Sequence, residues 1–351
     1  MITQGRWVTK RSHHGYSYRV WEKPMPRIPL EVLDCSFYVY RSVIDANEGK
    51  QTGGCGFLVQ VPSVHPGWTH LYAVTNKHLI DDGFTALRLN TDAGRSEAIE
   101  TRSENWETLY DSGDVAVIPL EIGAGFKWHA ILVDEFISPD IINMFQLQPG
   151  DDAFLVGRLV NQSGRQRNTP VVRFGNISLM ADENEKVQTV KYGYQEAFLV
   201  ECRSVSGFSG SAVFCTTHQR FLPRDGIVPW DYSVNGVPVI PKTPKPAVPW
   251  KPGEIQTSHL MVEGNFGPWL LGVDWGHLPL YQPMFEKIGN AYEKSETHYY
   301  DINTGIACVV PAWRILDILN IDALKAQRQQ DDEEIARRKM ESSVPDTNDR
   351  E

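Results

Sequence analysis

Ser206-Gly207-Phe208-Ser209-Gly210-Ser211 is a turn suited to presenting a single hydroxyl. Gly207 tolerates a positive φ and, lacking a Cβ, lets a carbonyl approach the backbone. The N–H groups of Gly207 and Ser209 can then converge on a developing oxyanion. Ser206 and Ser211 are alternative hydroxyls, but neither stands in the Gly-x-Ser-Gly frame. Such turns are common, so two upstream segments decide its meaning. Leu71-Tyr72-Ala73-Val74-Thr75-Asn76-Lys77-His78 is an apolar, β-type run that ends in an imidazole. Gly113-Asp114-Val115-Ala116-Val117-Ile118-Pro119-Leu120 sets a carboxylate at the head of another such run. A serine hydroxyl needs an adjacent base near neutral pH, and that base needs an acceptor to fix its tautomer. His78, Asp114 and Ser209 supply this set in chain order. Asp111 competes with Asp114, since either can start a strand or close an Asx-turn. Only Asp114 abuts the Val-Ala-Val-Ile run.

Six blocks follow one another along the chain: Gly53–Val59, Val74–His78, Asp114–Val117, Gly207–Ser211, Leu271–Gly276 and Gly305–Pro311. In wording and order they resemble the trypsin-like peptidases of the chymotrypsin fold, above all bacterial, HtrA-like members, here without a PDZ-like domain. The resemblance spans roughly residues 30 to 322. It implies an all-β fold of two six-stranded antiparallel β-barrels, a cleft between them and a C-terminal helix. It implies His78 as general base, Asp114 as its orienting acid, Ser209 as nucleophile, and the amides of Gly207 and Ser209 as oxyanion hole. Asp274, Trp275 and Gly276 would line the substrate pocket, and Arg203 falls where the family has the pocket base. A surface arginine is the other reading of Arg203, and a core tryptophan the other reading of Trp275.

The chain departs from the family at Lys77, Phe208 and Ser211, where a small residue, Asp or Asn, and glycine are usual. Lys77 must turn its ammonium to solvent or to a carboxylate. Without an acid at 208, activation by proteolytic trimming is not expected. The implied activity is that of a serine endopeptidase working through an acyl-enzyme, as a gated intracellular effector or quality-control protease. A catalytically inactive, peptide-binding pseudoprotease is the alternative.

Composition narrows the classes further. The chain has 351 residues, 41% of them hydrophobic, and a formal net charge of −10 with pI near 5.5. That charge argues against nucleic acid and anionic membrane as partners. No apolar stretch is long enough to span a bilayer. Met1 to Met25 lacks an apolar h-region, so no secretory signal is expected. Five cysteines without tight spacing do not read as a disulfide framework. A reduced, cytoplasmic protein follows, with a polypeptide substrate and a regulatory protein as candidate partners. The histidines, including His13-His14, lack ligand spacing with cysteines, so no metal and no cofactor is expected.

The chain divides into a polar leader at 1–29, a first β unit at 30–125, a second at 126–322 and a charged tail at 323–351. Short strands broken by Gly, Pro, Asn and Asp read as barrel or sandwich. They are expected at 35–44, 56–61, 71–75, 86–89 and 115–120, then at 153–156, 171–179, 198–202, 212–215, 270–275 and 306–310. An insertion at 216–265 interrupts the second unit, and its stretch Val237–Pro252 holds six prolines, an extended spacer. Trp313, Ile315, Leu316 and Leu319 share one face of a helix after Pro311. The tail reads as a solvated helix that frays.

Overall fold

A computed structural model describes residues 28–158, 164, 166–188, 193–202, 207–217, 267–278, 282–284, 299–300 and 302–339 with their side chains. It describes the backbone alone of 6–11, 17–22, 189, 218–223, 233–234, 237–238, 259–266, 279–281, 285–288, 291–298, 301 and 340–342. Within the leader, Arg6–Arg11 pairs antiparallel with Ser17–Glu22.

The architecture is the all-β one expected, followed by C-terminal helices. The first unit contains β1 (Ser36–Tyr40), β2 (Thr52–Pro62), β3 (Thr69–Thr75), β4 (Ala86–Asn90), β5 (Ser96–Glu100), β6 (Ala116–Pro119) and the short β7 (Ile131–Leu132). They form a seven-stranded sheet of order β5-β4-β1-β2-β3-β6, with β7 parallel to β2. The second unit contains β8 (Asp152–Gly157), β9 (Val171–Leu179), β10 (Phe198–Glu201), β11 (Ala212–Pro223), β12 (His259–Ile288) and β13 (Ala291–Pro311). These close into a six-stranded barrel, β8-β9-β10-β13-β12-β11.

Period-two alternation in the first unit serves two cores at once, because successive side chains on a strand face opposite ways. Phe37, Val39, Leu58, Ala73, Ala116 and Ile118 fill the interior of that unit. Their neighbours Phe57, Val59, Val74 and Val117 join one apolar cluster with Phe154, Val213, Leu270 and Val309 of the second unit. The two units therefore share a core, which fixes their contact surface by burial. Each fully buried large apolar side chain there contributes about 1.5–3 kcal/mol.

Local rules adjust several expected boundaries. The run from Cys35 to Ile44 is a strand only to Tyr40. Ser42 accepts a hydrogen bond from Asp45 N at 3.1 Å and starts α1 (Val43–Glu48), so Val43 and Ile44 become helical. Gly49, at φ 66°, ends that helix. The strand expected at 270–275 belongs to a longer one, β12. Within the connection between units, α2 (Lys77–Asp81) having followed β3, the next helix is α3 (Pro139–Phe145), capped by Ser138.

Pro311 ends β13 and α4 (Ala312–Leu319) follows, burying Ala312, Ile315, Ile318 and Leu319. The tail continues as α5 (Asp322–Ser342), which is docked on the first unit. Leu324 is buried, and Arg328 Nη1 donates to Tyr72 Oη at 3.0 Å and to Leu319 O at 2.9 Å. Ser63 Oγ donates to Asp332 Oδ1 at 2.5 Å, and His70 Nε2 lies 3.1 Å from the same oxygen. All five cysteines are buried free thiols.

Candidate active site

The β3–β6 register sets Thr75 opposite Ala116. The end of one strand thus lies beside the start of the other, and residues just past them, His78 and Asp114, meet. His78 sits in the first turn of α2, with Asn76 as N-cap in an extended conformation. Asp114 Oδ1 accepts the His78 backbone N–H at 2.8 Å, and Oδ2 lies 2.5 Å from Nδ1. Asn76 Nδ2 donates to the Asp114 carbonyl at 2.8 Å. The Asp114 side chain is 0% exposed and that of His78 is 16% exposed. A buried carboxylate on Nδ1 makes that nitrogen the donor and leaves Nε2 with the lone pair a base requires.

The carboxylate in contact with His78 is that of Asp114, whereas Asp111 is exposed. Lys77 leans away along the helix, its Nζ 2.5 Å from Asp81 Oδ2.

The serine turn is stitched to both units through the backbone. Cys55 N, on β2, donates to Ser209 O at 2.8 Å. Gly210 N donates to Asp274 O at 2.7 Å, Asp274 N to Ser211 O at 2.9 Å, and Ser211 N to Phe208 O at 2.9 Å. Gly207 and Gly210 take φ of 95° and 83°, where a residue with Cβ is strained. At Gly210 the space is also closed: an added Cβ would lie 1.9 Å from Cys55 O. Phe208 is fully buried, with the Arg173 guanidinium 4.8 Å from its ring centroid. The Phe208 ring anchors the turn by apolar burial.

Gly54 relates the serine turn to the histidine helix. A Cβ there would meet Ser209 O at 2.6 Å on one side and Leu79 Cδ1 at 2.8 Å on the other. Ser209, half-buried, and the residue after His78 therefore press on the same glycine.

Of the expected pocket residues, Asp274 is fully buried and holds Gly276 N on its Oδ1 at 3.1 Å. Trp275 is half-buried and packs against the shared core. Nothing crowds the Cβ position of Gly276. Arg203 lies outside the described residues, as does Ser206. A cavity of about 500 Å³ borders Asp114, lined by Lys77, Tyr110, Asp111, Tyr194, Glu196 and Arg314 among others.

Three residues with site roles carry no sequence signal of their own. Asn76, fully buried, clamps the Asp114 backbone through its side-chain amide. Cys55 and Thr75 act through position, with Thr75 Oγ1 donating to Cys55 O at 2.6 Å. Among the described residues no group of three His, Cys, Asp or Glu is arranged to hold a metal ion. Nor is any described helix long and apolar enough to cross a membrane.

No protein-family model matches this chain, and no curated protein matches it. Solved structures similar to it include the MamO protease domain from Magnetospirillum magneticum. That likeness has a TM-score of 0.38 at 12% identity, covering 53% of this chain and 80% of the other. The Rv3671c protease from M. tuberculosis in its active form gives a TM-score of 0.39 at 12% identity, covering 86% and 93%. Its inactive form gives 0.38 at 13%, covering 82% and 88%. Likenesses of this strength leave function to be argued from the geometry of the site.

Proposed function

We propose that this protein is a serine hydrolase acting on peptide bonds, with Ser209 as nucleophile, His78 as base and Asp114 as its orienting partner. The observation that carries the proposal is the double engagement of Asp114 with His78, through both the ring and the backbone N–H. Ser209 Oγ attacks the scissile carbonyl carbon while its proton passes to His78 Nε2. The oxyanion is received by the amides of Gly207 and Ser209. His78 then returns the proton to the amine as the C–N bond breaks, and water, deprotonated by His78, cleaves the acyl ester. No cofactor is needed for these steps. The substrate in this proposal is a cytoplasmic polypeptide, selected along Asp274, Trp275, Gly276 and Arg203. A regulatory protein partner gates access. The acidic charge of the whole chain disfavours nucleic acid and anionic membrane as ligands.

The test is covalent labelling of the full chain by a fluorophosphonate probe. The wild type labels and Ser209→Ala does not. Labelling of Ser209→Ala at the wild-type rate overturns the assignment. A wild type that stays unlabelled while binding peptides points to the pseudoprotease instead.

A further inference from the structure

Helix α2 is not capped by the side chain that stands at its cap. Asn76 is the N-cap, in an extended conformation. Asparagine is among the residues best suited to that place, because its side-chain oxygen can accept a first-turn N–H. No such bond is made here. Leu79 N donates to the Asn76 backbone oxygen at 3.2 Å, and His78 N donates to Asp114 Oδ1 at 2.8 Å. A carboxylate 36 positions away in the chain thus takes the donor that the cap residue leaves.

Asn76 is turned the other way. It is fully buried, and its Nδ2 donates to the Asp114 carbonyl at 2.8 Å. Its Oδ1 is buried without a hydrogen-bond partner among the described residues. The opposite amide orientation would set two acceptors, Oδ1 and the Asp114 oxygen, against each other, so the contact itself fixes which atom donates. A buried carbonyl oxygen left unpaired is unfavourable, and so is a cap bond forgone. The side chain accepts both losses for one bond to Asp114.

That bond falls where the strands stop holding Asp114. The last β3–β6 pair is Thr75 with Ala116, and Asp114 stands two residues before it. Its own turn is tight, with Val115 N donating to Gly113 O at 3.0 Å and Gly113 at φ 75°. Glycine leaves the chain its widest conformational freedom, so this turn gains from an outside hold. With the carbonyl held by Asn76 and Oδ1 by the His78 N–H, Asp114 is fixed at both its main chain and its carboxylate. Oδ2 then falls 2.5 Å from the ring Nδ1.

We propose that Asn76 is a positioning residue for the His78–Asp114 pair. It holds the Asp114 main chain, and it leaves the His78 N–H to the Asp114 carboxylate, for which its own Oδ1 would otherwise compete. Its effect on the pair needs no assumption about the reaction. Only its effect on rate rests on the hydrolase proposal.

Two measurements on the full chain keep those claims apart. The proton between His78 Nδ1 and Asp114 Oδ2 lies in a short, charge-assisted hydrogen bond and resonates far downfield in the NMR spectrum of protein carrying isotope-labelled histidine. Asn76→Ser keeps a residue that caps helices as well as asparagine does, but its shorter side chain lets go of the Asp114 carbonyl. In that variant the resonance moves upfield or is lost to exchange with water. Asn76→Ala, with neither donor nor acceptor, does the same, and it decides the matter if Asn76→Ser fails to fold. Fluorophosphonate labelling slows about tenfold in both, as a misplacement of about half an ångström predicts. A residue that is only a buried strut lowers Tm when replaced and leaves the resonance in place. That result overturns the proposal, as does a wild type without the resonance. If the wild type shows the resonance and never labels, while Asn76→Ser loses the resonance, the hydrolase reading falls and the role of Asn76 stands. If the wild type labels, and Asn76→Ser changes neither rate nor resonance, the role falls and the hydrolase reading stands.

Discussion

Replacing Gly54 with alanine tests how the serine turn is held against the histidine. The added methyl would lie 2.6 Å from Ser209 O and 2.8 Å from Leu79 Cδ1. Non-bonded atoms need about 3.2–3.5 Å or more, so the two sides must part by roughly half an ångström or more. Leu79 has rotamers available, but Ser209 O is tied to Cys55 N at 2.8 Å, one residue along from the substitution. The serine turn is therefore displaced relative to His78. Overpacking of this kind costs about 1–3 kcal/mol of stability. A 1 Å misplacement costs about 10²-fold in rate, so half of that predicts about tenfold. The assay is the pseudo-first-order rate of fluorophosphonate labelling, read beside thermal melting. Gly53→Ala is the control, because its Cβ would meet the Phe84 ring on the other face of β2. That variant loses stability and labels at close to the wild-type rate. A Gly54→Ala protein that labels within twofold of wild type would refute the reasoning.

Three further outcomes are expected. Asp114→Asn keeps the shape of the pair but removes the acceptor for Nδ1–H, so labelling and turnover fall by about 10⁴ while the protein still melts cooperatively. Cys55, pushed up to about 11 chiefly by burial, and Cys308, pushed up to about 12 for the same cause, resist iodoacetamide at pH 8 in the folded protein and react once it is denatured; fast native alkylation contradicts this. Burial works against Asp332, yet the Ser63 hydroxyl and the His70 imidazole hold its carboxyl below the usual range. Its contribution is therefore present above the unfolded value near ~3.9 and lost as pH falls through the folded one. Asp332→Asn accordingly lowers Tm at pH 7 and narrows the gap to wild type toward pH 3, which a melting series measures.

Much of the candidate site was legible because its chemistry is local. The Gly-x-Ser-Gly frame around Ser209 marks a turn by itself, and an acid or imidazole bordering a β-branched run marks a strand end. Helix α4 was legible too, since Pro311 and the spacing of its apolar residues are features of one short segment. The C-terminal end of the Cys35–Ile44 run was not, because Ser42 competes as a helix cap against β propensity in Val43 and Ile44. Nor was the docking of α5: a strongly polar helix carries no periodic stripe, and Arg328 and Asp332 find Tyr72, Ser63 and His70 only once β3 is in place.

Residue order alone determined that three reactive side chains lie on turn and strand boundaries, and that the chain is all-β with a helical end. Setting the Asp114 carboxylate, and not that of Asp111, against His78 required the folded chain. That pairing depends on β3–β6 register, and contacts between residues 36 to 269 positions apart leave no trace in local spacing.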